Sequence, residues 1–150
     1  MPFLDEQVRA QVRTALADMP RPVKMLVFTQ HEGGALECEY CSETRELAQE
    51  IAALSDRITL EVRDFVADEA LAQAHGIDKI PAIAFLGEEG AQPRDYGIRL
   101  YGIPAGYEFS TFIEDLRMIA SGDPKLAPET MKTLAGLKQK VHIQVFVTPT

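Results

Sequence analysis

Two cysteines three residues apart, Cys38 and Cys41, are the only cysteines in the 150-residue chain. They stand between an apolar run, Val23 to Phe28, and a helical pattern that follows. A lone C-x-x-C in that setting reads as a redox dithiol. Backbone N–H groups at a helix start lack partners and, with the positive end of the macrodipole, favour thiolate over thiol. Thiolate is the form that attacks disulfides. Residues i and i+3 share a helix face with Cβ atoms ~5–6 Å apart, slightly wider than the ~3.5–4.5 Å of a relaxed disulfide. The bridge is therefore expected to form and to reopen readily. Cys38, at the helix start, is read as the attacking thiol and Cys41, inside the first turn, as the resolving one.

Two plainer readings of the pair stand beside this one: a metal-binding or structural pair, and a redox-silent scaffold that only docks partners. A tetrahedral zinc site needs about four ligands. Only His31, His75 and His142 remain, scattered over a loop, a helix end and a strand pattern. Neither a metal nor a cofactor is expected. The net charge of −8 argues against a nucleic-acid partner. No apolar run approaches 18 residues, so no membrane span is expected. Met1-Pro2-Phe3-Leu4-Asp5-Glu6 lacks the basic and apolar regions of a signal peptide. Cysteines confined to one C-x-x-C are no structural framework, and the expected location is the cytoplasm.

Leu4, Val8, Val12, Leu16 and Met19 recur at helical spacing and stop at Pro20 and Pro22. Val23 to Phe28 is apolar enough for a strand covered on both faces. The Thr29–Glu37 loop holds Gly33-Gly34 but no phosphate-loop pattern. After the cysteines, Leu47, Ile51 and Leu54 make a helix face, and Ile58, Leu60 and Val62 alternate as a strand with one buried face. Ala70 to His75 is a short helix closed by Gly76. Ala82 to Leu86 is a third strand, and turn chemistry at Gly87 to Gly90 leads by a longer loop to a fourth, Gly97 to Tyr101. Phe109, Phe112, Ile113, Leu116 and Ile119 form a helical stripe ended by Gly122-Asp123-Pro124. Tyr101, Phe109 and Phe112 are assigned to the core.

Residues 23–121 thus read β-α-β-α-β-β-α. That order suits an α/β thioredoxin-like fold, a central mixed sheet flanked by helices, here with an extra N-terminal helix. The remainder reads as a helix–strand extension: a helix over Leu126 to Leu137, then a strand over Lys140 to Thr148. Pro22-Val23-Lys24-Met25-Leu26-Val27-Phe28-Thr29 and the closing Gln144-Val145-Phe146-Val147-Thr148 share a strand ending, each after a helix. The repeat suggests residues 1–124 as one unit and 125–150 as the start of a second, with the chain stopping where the second loop and cysteines would follow. An apolar strand over residues 141–147 cannot stay unpaired in water. It is expected to join an edge of its own sheet or to pair with another chain as a homodimer.

Several segments together resemble the N-terminal unit of the archaeal and bacterial protein disulfide oxidoreductases, which fuse two thioredoxin/glutaredoxin-like units. They are Leu26-Val27-Phe28, Cys38-Glu39-Tyr40-Cys41, Ile77-Asp78 through Pro81-Ala82, Tyr101-Gly102-Ile103-Pro104-Ala105-Gly106-Tyr107-Glu108-Phe109 and the closing Val145 to Thr150. A similar module forms the N-terminal domain of alkyl hydroperoxide reductase flavoproteins. The resemblance implies dithiol–disulfide exchange on protein disulfides, with electrons from a thioredoxin-reductase-like flavoenzyme. The alternative is a redox-silent module docking a reductase or peroxiredoxin. It also implies a cis Ile80–Pro81 bond beside the disulfide, with the Ile80 backbone open to an extended substrate. Tyr40, in the position of a glutaredoxin tyrosine, is a substrate contact or simply an exposed side chain. The chain departs from the family in having one C-x-x-C rather than two. The glutaredoxin glycine pair for glutathione is absent after the fourth strand. Glu32, Glu37 and Glu39 crowd the dithiol with negative charge that opposes the helix dipole.

Overall fold

The computed structural model describes residues 2–148. At its centre lies β1 (Val23–Thr29), six of whose seven residues are buried. It pairs in parallel with β2 (Ile58–Asp64) and antiparallel with β3 (Ala82–Glu89), which pairs antiparallel with β4 (Gln92–Tyr101). The order across the sheet is β2-β1-β3-β4. Parallel neighbours need a crossover, and α2 (Cys41–Ala52) supplies it. Side chains alternate across a strand. Val23, Met25 and Val27 therefore face α1 (Glu6–Leu16), α2 and α4 (Glu108–Ser121), packing with Leu16, Leu47, Ile51, Phe85 and Phe112. Leu26 and Phe28 face the other way, onto Ala72 of α3 (Glu69–Ala74) and Ile77. The N-terminal helix is pinned to this body by Arg9, which pairs with Glu50 at 2.8 Å. Glu50 also accepts from the backbone N–H groups of Phe3 and Leu4.

The hairpin is tighter than its sequence suggests. β3 runs on through Gly87 to Glu89, Glu89 pairs with Gln92, and a two-residue turn at Gly90–Ala91 replaces the longer loop. Pro93 is tolerated because β4 is an edge strand, where a missing N–H faces solvent. The register shifts between Ala84 and Leu86, which face Arg99 and Asp95, so β4 carries two extra residues there, next to Gly97 at φ 80°. Val62 is 37% exposed, since β2 is the other edge. Tyr101 is also no core residue: it is 37% exposed, with Lys79 Nζ 4.4 Å above its ring.

On α4, the stripe of Phe112, Leu116 and Ile119 is buried as its spacing requires. Asp115 lies on the same helix in a cleft of about 420 Å³ shared with Met19, Pro20 and Met118. Burial alone pushes its carboxyl up to about 6. A pKa raised in the folded state gives a contribution that is complete below about pH 4 and lost as pH climbs through 6. Asp115→Asn should therefore stabilise the fold at pH 7 by about 1 kcal/mol, a figure discounted from the full shift for the solvent the group still meets. The gain should vanish near pH 4 in parallel denaturant titrations. An equal effect at both pH values contradicts this account.

The C-terminal segment departs from the expected helix and strand. α5 (Pro128–Ala135) is shorter than the apolar pattern and has no buried residue. Residues 141–148 form no strand: Val141, Ile143, Val145, Phe146 and Val147 are 52–88% exposed. A β conformation is held by ladder bonds to a neighbour, and among the described residues neither open edge, β2 or β4, forms a ladder with this segment. It passes the Asp78–Lys79 turn, where Asp78 is held below its usual range by its hydrogen bond from Lys79, with a smaller contribution from His142.

Candidate active site

β1 and β3 deliver the site to one end of the sheet. Phe28 pairs with Ala82, so the loop leaving β1 and the residues entering β3 emerge side by side. That loop is held from below. Thr29 O accepts the Phe65 N–H at 2.9 Å. The Gln30 side chain donates to Asp64 Oδ2 at 2.6 Å, and His31 Nδ1 lies 3.1 Å from the same oxygen. Asp64 sits below its usual pKa, chiefly through the Ala67 N–H and then through His31. A Cβ at Gly34 would come within 2.6 Å of the buried Gln30 side chain, so a larger residue there displaces Gln30.

Cys38 and Cys41 form a disulfide with Cα atoms 5.5 Å apart. α2 begins at Cys41 rather than Cys38, so Cys38 sits in the turn just outside the helix. Cys38 is half-buried, whereas Cys41 is 2% exposed. The backbone N–H of Gln30 donates to Cys41 Sγ at 3.3 Å. No sequence pattern marks Gln30 for this task, because the bond uses its backbone and spans two elements.

The Ile80–Pro81 peptide is cis. Pro81, one residue before β3, is buried, and Ile80, two before it, is half-buried. Pro81 O accepts the Gly102 N–H at 2.9 Å, which ties the turn to the residue after β4. Further back, Arg99 donates twice to His75 O, at 3.0 and 2.9 Å, and to Asp95 at 2.6 Å. Burial pulls Asp95 upward, but bonds from Arg99, the Gly97 N–H and His75 outweigh it and hold the carboxyl well below the usual range. This clamp joins the end of α3 to β4, and sequence reasoning missed it; only the fold brings residues 75, 95 and 99 together.

Tyr40 is 44% exposed beside the disulfide. Its hydroxyl is held above its usual pKa by the Glu39 charge first, then by the Glu39 hydrogen bond, with Glu43 adding to it. Lys79 pairs with Asp78 and lies over the Tyr101 ring. Among the described residues no group of three or more His, Cys, Asp or Glu side chains is arranged to hold a metal, and no helix is long and apolar enough to cross a membrane.

No protein-family model matches the chain. Among curated proteins it is similar to the alkyl hydroperoxide reductase AhpF of Pseudomonas putida, 24% identical over 144 residues, which are 96% of this chain and 24% of that protein. Among solved structures it is similar to a protein disulfide oxidoreductase from Aeropyrum pernix k1. The TM-score is 0.82 at 27% identity, over 97% of this chain and 60% of the other. The N-terminal domain of the alkyl hydroperoxide reductase AhpF from Enterococcus faecalis matches with a TM-score of 0.78 at 25% identity, over 91% and 62%. The chain thus spans about a quarter of the curated relative and about three-fifths of these structures. Its fold is thioredoxin-like, a mixed four-stranded sheet with helices, and it carries a C-x-x-C disulfide.

Proposed function

We propose that this chain is a thiol–disulfide oxidoreductase acting on protein disulfides, with residues 1–124 as its redox unit. The observation that carries the reading is a disulfide with one accessible and one enclosed sulfur, set at the sheet end that also holds Pro81. In the reduced protein the Cys38 thiolate attacks a substrate sulfur. The substrate S–S bond breaks, and its other sulfur leaves with a proton. Cys41 then gives up its proton and attacks Cys38 Sγ, releasing the second substrate thiol. The substrate gains two electrons, and the Cys38–Cys41 bond holds the oxidised product. Tyr40, Ile80 and Pro81 line the approach, with the Ile80 backbone open to an extended segment of substrate. A thioredoxin-reductase-like flavoenzyme restores the dithiol; the likeness to the alkyl hydroperoxide reductase AhpF supports this donor. The cytoplasm, where thiols are kept reduced, suits such a cycle. In the same reading, residues 125–150 are the start of a second unit, and residues 141–147 pair with a second copy of the chain.

Insulin reduction in dithiothreitol tests the activity. The protein should speed precipitation of the insulin B chain at least about tenfold over dithiothreitol alone, because a positioned thiolate exchanges faster than a free dithiol. No acceleration by protein that still binds a reductase or peroxiredoxin would favour the docking module instead.

A further inference from the structure

We propose that the dithiol prefers disulfides set among cationic groups, and that the carboxylates around it create this preference. The proposal rests on the disulfide-exchange reading above and names its substrate class. Glu37 and Glu39 flank Cys38 directly, Glu32 lies in the same loop, and all three are exposed. Glu43 stands in the first turn of α2. Tyr40 lies between the cysteines, and its hydroxyl is held above its usual pKa first by the Glu39 charge and less by that of Glu43, so negative charge reaches the C-x-x-C segment. Among the described residues, none of Glu32, Glu37, Glu39 and Glu43 has an ion-pair partner.

Other basic side chains are mostly committed elsewhere. His31 faces Asp64 at 3.1 Å, Lys79 pairs with Asp78, and Arg63 pairs with Glu61. Arg45, which donates to Ser42 Oγ at 3.5 Å, has no carboxylate partner and offsets one of the four glutamates. The N-terminus of α2 adds the equivalent of about half a positive charge. The loop and first turn around Cys38 therefore carry a net of roughly two and a half negative charges. At physiological salt the Debye length is about 8 Å, comparable with the reach of these side chains, so the field is weakened but not abolished at the sulfur. A substrate disulfide bordered by Lys or Arg is drawn in, and one bordered by Asp or Glu is repelled.

The test uses small symmetric disulfides and the reduced full chain. Rate constants are measured for dicationic cystamine, dianionic 3,3′-dithiodipropionate and neutral 2-hydroxyethyl disulfide. Each is divided by the rate of dithiothreitol with the same disulfide, which cancels intrinsic reactivity. The normalised cystamine-to-dithiodipropionate ratio should be about tenfold at low salt and fall to about twofold in molar salt. In the double variant E37Q/E39Q the low-salt ratio should fall about threefold. The neutral disulfide, measured in each variant, reports that the dithiol still works. A normalised ratio at or below one, or one that E37Q/E39Q leaves unmoved, overturns the proposal while exchange activity stands. Failure to reduce 2-hydroxyethyl disulfide at all overturns the exchange reading and this proposal with it.

Discussion

Cys38→Ser should lower insulin reduction by about a thousandfold or more, because a serine hydroxyl at neutral pH supplies almost no nucleophile to a disulfide. Cys41→Ser should behave differently. Cys38 can still attack, yet nothing remains to release it, so the protein accumulates as a mixed disulfide with its substrate. The asymmetry follows from where the two sulfurs lie. Cys41 is 2% exposed and receives the Gln30 N–H, so a protein substrate cannot reach it first. Cys38, in the turn before α2, is open enough to be reached. Mass spectrometry of each variant after incubation with oxidised insulin separates the cases: an insulin-chain adduct on Cys41→Ser and none on Cys38→Ser. Equal loss of activity in both, with no adduct on either, would sink the assignment of roles and favour a docking module. Alkylation of the reduced wild-type protein gives a second check, since Cys38 should be modified first.

Much of this site is legible in the chain without any fold. Cys38 and Cys41 announce themselves by spacing, and β1 by its unbroken apolar run. α2 and α4 show their buried faces in the recurrence of Leu47 with Ile51 and of Phe112 with Leu116. These signals are local, a matter of period and capping within one element. What stays hidden is non-local. The first half of β4, Gln92 to Asp95, has no alternation and contains Pro93, so only its pairing with β3 makes it a strand. Gln30 serves Cys41 through its backbone, which any residue but proline has. The clamp of His75, Asp95 and Arg99 joins positions 24 residues apart, from His75 to Arg99. The start of α2 at Cys41 rather than Cys38 is a shift of three residues, set by the turn that the disulfide closes. Side-chain type alone assigns Tyr101 to the core, whereas its place on an edge strand leaves it open to Lys79.

Removing residues 140–150 should leave the redox unit working and convert a self-associating protein into a monomer. Val141, Ile143, Val145, Phe146 and Val147 are among the most exposed apolar side chains of the described chain, and Phe146 reaches 88%. Leu126, Met131, Leu134 and Leu137 add an apolar stripe along and beside α5. Each such side chain contributes about 1.5–3 kcal/mol when fully buried, and association costs about 4–15 kcal/mol. Five of them buried on each side, about 15–30 kcal/mol in all, match or exceed that cost. Residues 141–147 also carry an unpaired row of N–H and C=O groups that ladder pairing would satisfy. Two copies related by a two-fold axis can pair this segment antiparallel with itself, which closes the assembly at a dimer. Removal should not disturb the core, because among the described residues the buried ones end at Ala120 and α5 contributes none. Sedimentation of the full chain should give a dimer, and the truncated chain a monomer with insulin reduction unchanged within about twofold and a closely similar Tm. The milder variant Phe146→Glu, which puts charge where burial is needed, should shift the same equilibrium without shortening the chain. A full-length chain that sediments as a monomer would defeat the pairing, and so would a truncation that unfolds residues 1–139.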